Sequence, residues 1–530
     1  MIQISDTTLR DGAQAEGISF SLDDKLQIVK ELDDLGVSWI EGGNPAANPM
    51  DKAFFQALKN IPPLRNSRIS AFGSTCRPGV PAAEDPSLRT LAETEAAQYT
   101  IFGKSSLRHV TAVLRCDQAE NLRMIQDSVS FLLRRGIPVW FDAEHFFDGF
   151  LENPEYALSC IRAAAEAGAQ RIILCDTNGG SLPDLISRGV AAARGAVRVS
   201  LGIHTHNDCG LAVANSLAAV EAGCDLVQGT MGGIGERCGN ADLCTLIPLI
   251  ALKLKRECLP AGHLNRLTHI SRVTAEILNI APGENAPFVG YSAFAHKGGM
   301  HIDAILKDRS SYEQIDPESV GNQRRFLISD QSGRAGIYAR LGRILPDLNP
   351  GSPEIASVVR KLKEMEAEGY TYENADGSFE LLALDTLGRR PRFFHVLDYH
   401  VLSQQEHGSK DAQAYLKIEV NGREGINAAE GDGPVNALDL ALRKTLSQFY
   451  PSIRNMRLLD FKVRVLNAQG TASRVRVSIE STDGIHLWKT VGVHSNIILA
   501  SLRALIDSVD YMLTRYVSAA EIRAAASLES

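Results

Sequence analysis

VSLGIHTHND, residues 199–208, joins a short apolar run to a polar end that carries two histidines. Val199–Ile203 has the length of a buried strand, and the polar residues begin where such a strand would stop. Seven more runs of this kind flank it: Ile2–Ser5, Ser38–Glu41, Ile69–Phe72, Tyr99–Phe102, Pro138–Phe141, Arg171–Cys175 and Leu226–Gln228. Between them lie stretches of helical period, such as Leu22, Leu26, Val29, Leu32 and Leu35. Ser21 with Asp24 forms a candidate capping box, and Asn153–Pro154 supplies an N-cap and a first-turn proline. Eight β–α units within ~250 residues predict an α/β fold of the (β/α)8, or TIM, barrel type. A doubly wound open sheet is the structural rival, but it usually carries fewer strands and would not gather polar residues at the strand ends.

The barrel is expected over residues 1–258. From 259 to 380 the chain reads as a helical linker subdomain, with Glu366–Phe379 (EAEGYTYENADGSF) as a hinge. Strand alternation returns at Tyr415–Val420, Leu459–Leu466, Arg474–Glu480 and His486–Val493, with helices at Val435–Phe449 and Asn496–Leu513. A C-terminal α+β regulatory domain over 381–518, hinting at a duplicated β–α unit, is the expectation.

The 530 residues carry a net charge of −8 and show no basic face for phosphates, which argues against a nucleic-acid partner. Nine cysteines without a CxxC pair read as free buried thiols in a reducing compartment. The start MIQISDTTLRDG does not resemble a signal peptide, and no run approaches the ~20 apolar residues of a membrane helix. A soluble, cytoplasmic protein is expected.

On a (β/α)8 scaffold the active site forms at the C-terminal ends of the strands. Five predicted strand ends carry polar residues: SDTTLRDGAQ, FDAEHFFDG, CDTNGG, GIHTHND and QGTMGGIGERCGN. In an extended strand His204 and His206 point to one side, into the barrel mouth. With Asp11 as carboxylate, and Asn240 on the same rim, they make a mixed N/O site for Mg2+, Mn2+ or Zn2+; a pair of hydrogen-bonded barrel histidines is the plainer alternative. Arg10 beside Asp11 is placed to clamp a carboxylate or an incipient enolate, or to pair with Glu144 or Asp142. Glu144 is a candidate for proton transfer, and Thr177 for binding a substrate carboxylate. His296 and His301 fall in a glycine-rich loop, and spacing alone assigns them nothing.

RDGAQ, GIHTHND, GERCGN and KGGMH, in that order, resemble the acetyl-CoA-dependent Claisen condensing enzymes, the family of the 2-isopropylmalate, homocitrate and citramalate synthases. The resemblance covers nearly the whole chain. IEGGNPAANPMD, FDAEHFFDG and FAHKGGMH are similar to the citramalate synthase branch, although Ser106 stands where that branch more often has a tryptophan. The resemblance implies acetyl-CoA and pyruvate as substrates, with 2-oxoisovalerate or 2-oxoglutarate as the alternative acceptors. It implies a divalent metal on Asp11, His204, His206 and Asn240. Arg10, Glu144, His301 and Tyr312 are then catalytic, with Arg10, Gln14 and Thr177 contacting substrate. A homodimer and isoleucine feedback in isoleucine synthesis are further implications. A lyase or carboxyltransferase on a similar barrel, and a catalytically dead amino-acid sensor, are the competing readings; the intact polar set opposes the sensor.

Overall fold

The computed structural model describes residues 1–94, 96–280, 283–327, 337–338, 340–342, 345, 347–349, 352–403, 412–466, 473–484 and 486–526. The chain divides into two compact units, Met1–Phe294 with Gln314–Arg324, and Ala295–Glu313 with Arg325–Ser530.

In the first unit eight parallel strands close into a barrel: β1 (Gln3–Asp6), β2 (Trp39–Glu41), β3 (Arg68–Ser74), β4 (Gln98–Lys104), β5 (Val139–Glu144), β6 (Arg171–Asp176), β7 (Ser200–Thr205) and β8 (Leu226–Gly229). Every predicted strand is present, with ends shifted by up to three residues. Closure comes from β1 pairing with β8, Gln3 opposite Leu226 through Asp6 opposite Gly229. Alternate residues face inward, so Trp39, Trp140, Ile173, Cys175 and Leu226 fill the barrel interior. The other faces pack on the surrounding helices.

Those helices begin where their sequence caps them. Ser21 accepts from the Asp24 amide while the Asp24 carboxylate accepts from the Ser21 amide, closing the capping box of the helix Leu22–Leu35. Asn153 caps the helix Pro154–Glu166 through the Tyr156 amide. From the first of these helices the buried Lys25 reaches to the strand ends, donating to the carbonyls of Leu9 (3.1 Å) and Gly42 (3.0 Å) and pairing with Asp51 at 2.6 Å. This ammonium ties the loop after β1 to the loop after β2, the two segments that bear Arg10 and Glu41.

In the second unit the two-residue strands β9 (Ala295–His296) and β10 (Arg325–Phe326) pair in parallel. Two antiparallel sheets follow, β11 (His395–Ser403), β12 (Ala412–Val420) and β13 (Arg423–Gly431), then β14 (Arg457–Val465), β15 (Val475–Thr482) and β16 (Leu487–His494). Each sheet is followed by a helix packed on it, Pro434–Leu446 and Ile497–Arg515. The duplicated unit is therefore β-β-β-α. The sequence reading missed β11 and β13, whose mixed, half-exposed residues carry little apolar alternation. Within the expected hinge or linker at 366–379, Tyr372, Ala375 and Phe379 are buried with Ile355, Val358 and Leu362, and a helix starts at Asp376. Aromatics among the polar residues of that stretch supply the core contact that its composition conceals.

Among the described residues no helix is long and apolar enough to cross a membrane. Replacing Lys25 by Met leaves the buried Asp51 carboxylate without its counter-charge, which costs about 3–5 kcal/mol. Urea unfolding followed by the fluorescence of Trp39 and Trp140 should show the loss; an unchanged midpoint would remove Lys25 from this role.

Candidate active site

The barrel's C-terminal rim encloses a cavity of 180 Å3 lined by Arg10, Asp11, Gln14, Glu144, Thr177, His204 and His206, with Phe72, Phe102, Asp142, Cys175 and Glu236 completing the wall. Seven side chains singled out in the sequence thus share one space. Asn240, from the loop after β8, reaches the same cluster, its amide nitrogen donating to Asp11 Oδ2 at 2.9 Å.

Asp11, His204 and His206 are all buried, and each offers an atom within 4.8 Å of the others. His204 Nε2 lies 3.2 Å from Asp11 Oδ2 and 3.2 Å from His206 Nε2, while His206 Nε2 stands 3.9 Å from Asp11. His204 Nδ1–H donates to Gln228 Oε1 at 2.9 Å, which directs the Nε2 edge to the cluster. Burial, reinforced by the neighbouring His204, pushes His206 down to about 3, so its imidazole is neutral at pH 7. Burial opposes the Asp11 charge, yet Arg10 and the two histidines hold its carboxyl well below the usual range. Asp11 and His206 are thereby in the protonation states a cation requires of its ligands, whereas Asp11, against the effect of burial, raises the pKa of His204, whose proton a cation would displace.

Among the described residues, Asn240 Oδ1 and His206 Nδ1 are buried without hydrogen-bond partners. A half-turn of the Asn240 amide exchanges its nitrogen for its oxygen and turns an acceptor toward the cluster. The donor set therefore fits a divalent cation held by Asp11, His204 and His206, with Asn240 as a fourth contact. Asn240 is seated by a close backbone approach. Its amide bonds to the Gly233 carbonyl at 3.1 Å, and a Cβ at Gly239 (φ +87°) would lie 1.9 Å from that same oxygen.

Arg10 does not pair with Glu144 or Asp142, the plainer alternative that the sequence left open. Its Nε donates to Glu41 Oε2 at 2.5 Å, its Nη1 lies 3.2 Å from Asp11 Oδ2, and the guanidinium rests 4.0 Å over the Phe72 ring. Burial works against its charge, but Glu41 and Asp11 raise its pKa above the ordinary value. Glu144 pairs instead with Lys104 from the end of β4. Burial, reinforced by the Glu41 charge, pushes the Asp142 carboxyl well above the usual carboxylate range. Thr177 Oγ1 accepts from the His145 amide at 2.8 Å, leaving its own proton to donate.

Glu41 and Lys104 carried no assignment in the sequence. Both end a predicted strand or stand just beyond it, so the strand-end rule that found Glu144 would have found them. Phe72 and Phe102 closed apolar runs and read as core; they stack with centroids 5.4 Å apart at the cavity wall. Of the nine free thiols, Cys209 and Cys238 are exposed and Cys116 is half-buried, which corrects the expectation that all are buried. Their polar loop neighbours, HNDCG and ERCGN, are the signal.

His301 and Tyr312 belong to the second unit. His301 lies on the helix Gly299–Lys307, and its exposed ring stacks on Tyr312 with centroids 4.1 Å apart. His296 instead bonds to Glu313 at 3.1 Å.

The HMGL-like family profile matches residues 1–274, a homocitrate synthase post-HMGL domain-like profile matches 288–370, and a LeuA allosteric (dimerisation) domain profile matches 373–513. The chain belongs to the HMGL-like family. Within that family it stands with the (R)-citramalate synthases. It is 47% identical to the one from Geobacter sulfurreducens over 97% of this chain and 98% of the relative. It is 46% identical to that of Aquifex aeolicus over the same shares. A probable 2-isopropylmalate synthase of Methanopyrus kandleri is 30% identical over 97% of this chain and 99% of the relative.

Replacing Gln228 by Leu frees His204 Nδ1, and loss of such an orienting partner weakens metal binding about 10–100-fold. Titration calorimetry with Mn2+ should read that loss, against Asp11→Asn as the variant that removes a ligand charge.

Proposed function

We propose that this chain condenses acetyl-CoA with pyruvate and cleaves the resulting thioester, releasing citramalate and CoA. The observation that carries the proposal is the single cavity in which the Asp11, His204 and His206 cluster faces Arg10, Thr177 and Glu144. The 44–47% identity to (R)-citramalate synthases supports pyruvate as the acceptor.

Asp11, His204 and His206, with Asn240, would hold a divalent cation, which would supply Lewis-acid polarisation to a bound 2-oxo acid. Thr177 donates its free hydroxyl proton to the acid's carboxylate, and Gln14 contacts the same substrate. Arg10, held by Glu41 and stacked on Phe72, opposes the negative charge that grows on the ketone oxygen as the carbon–carbon bond forms. Glu144 takes the proton from the acetyl methyl group, and the family resemblance supports His301 as a further residue in that proton transfer and Tyr312 as a further catalytic residue. The methyl carbon bonds to the ketone carbon, the ketone oxygen gains a proton, and water breaks the thioester bond to leave a carboxylate and the CoA thiol. The stacked Phe72 and Phe102 rings close the cavity beside Arg10 and favour a short acid, each extra methylene being worth ~1–3 kcal/mol.

Citramalate is an entry into isoleucine synthesis, and isoleucine is the proposed feedback effector, acting on the C-terminal domain. A homodimer is the proposed assembly. Exposed Leu397 and Leu402 on β11, and Leu459, Val463 and Val465 on β14, support an interface there. The nine free thiols support a reducing, cytoplasmic location.

Thiol release from acetyl-CoA should require pyruvate and stop with a chelator; faster release with 2-oxoisovalerate or 2-oxoglutarate would reassign the acceptor. Replacing His301 by Asn should lower kcat at least about 100-fold, the scale of general-base catalysis, with pyruvate binding unaffected. Millimolar isoleucine should slow the wild-type enzyme, and an unchanged rate would end the feedback reading.

A further inference from the structure

His145 stands between two residues of the proposed site and has no role in it so far. It follows Glu144 directly, and its backbone is left-handed (φ +58°), a conformation uncommon outside glycine that histidine, like asparagine, adopts more readily than β-branched residues do. Two contacts to its ring, one of them braced by a further residue, support it there. The His109 ring lies face to face on the His145 ring, centroids 3.7 Å apart and planes 14° from parallel. Asp148 Oδ2 stands 3.0 Å from His145 Nδ1. The same Asp148 oxygen accepts from Asn178 Nδ2 at 2.8 Å, so the clamp is tied to the residue after Thr177.

The left-handed turn has a consequence at Thr177. It presents the His145 N–H to Thr177 Oγ1 at 2.8 Å, and a hydroxyl oxygen that accepts there sends its proton elsewhere. The Thr177 carbonyl is held on its other side by Arg237 Nη2 at 2.7 Å, so the residue is fixed through both backbone and side chain.

We propose that His145 is a positioning residue: its clamped left-handed turn orients the Thr177 hydroxyl as a donor to the carboxylate of the 2-oxo acid. The same turn ends β5 immediately after Glu144 and so sets where that carboxylate projects. The imidazole itself touches no substrate in this scheme. It serves as the wedge that the His109 ring and the Asp148 carboxylate hold, and the backbone amide does the positioning.

The inference rests on the 2-oxo acid reading of the cavity, and the test separates the two. Pyruvate, 2-oxoisovalerate and 2-oxoglutarate are titrated by calorimetry into the Mn2+-loaded enzyme, which requires no turnover, alongside KM values from thiol release. Failure of all three acids to bind the wild type overturns the function and the inference together. Where an acid binds, His145→Val, whose β-branch resists a positive φ, should weaken its binding and raise its KM about tenfold or more, the worth of a hydrogen bond to a charged group. The KM for acetyl-CoA should stay constant. His145→Asn, which tolerates the left-handed turn, should recover most of the loss. Thr177→Val should weaken binding as much as His145→Val, and the double variant no more than either. Additive losses, an unaltered pyruvate KM in His145→Val, or equal damage from His145→Asn and His145→Val would each overturn the positioning role. Thermal unfolding of each variant guards against mistaking misfolding for the effect.

Discussion

The site exists because β1 closes on β8. Parallel strands send all their C-terminal ends to one rim, and the β1–β8 ladder brings the start of the sheet against its end. Asp11 thereby meets His204, His206 and Asn240, residues about two hundred positions away in the chain. An open sheet would carry the same residues on the same strands and keep them apart. The geometry of this candidate metal site is thus a property of closure, and each helix that packs on the barrel wall sustains it from outside.

Gathering so many acids on one rim creates an electrostatic problem that neighbouring side chains resolve. Glu41, Asp11, Asp142 and Glu144 share a small, largely buried volume. Arg10 neutralises the first two at contact distance, Lys104 pairs with Glu144, and burial pushes the Asp142 carboxyl above the usual range. The arrangement keeps Asp11 ionised while Glu41 and Glu144 are paired. Lys25 does comparable work below the rim, where one buried ammonium holds two loop carbonyls and the Asp51 carboxylate. Charge therefore organises the loops that hydrophobic packing alone would leave free.

The second unit is built on a different economy. Two β-β-β-α repeats pack their sheets and helices around a common core, with Leu416 and Ile418 from one repeat and Val477 and Ile479 from the other. The outer strands β11 and β14 keep large apolar side chains in solvent, a pattern suited to an interface rather than to a solitary sheet. β11 and β13 escaped detection in the sequence because β11 is exposed or half-buried along its length and the inward positions of β13, Gly425, Asn427, Ala429 and Gly431, are small or polar. The buried Tyr372 and Phe379 escaped for the opposite reason, being lone aromatics in a polar stretch.

The sequence by itself determined the barrel, its eight strands in order and the residues at its rim, because periodicity and strand ends are local properties. It likewise marked Asp11, His204 and His206, since the spacing of two histidines by one residue already sets a common side. Only the tertiary structure decided the partners: Arg10 with Glu41, Glu144 with Lys104, His204 with Gln228 and Thr177 with His145. Pairing depends on distances between segments that no local pattern encodes, and those distances come into being when the sheet closes and the loops settle upon one another.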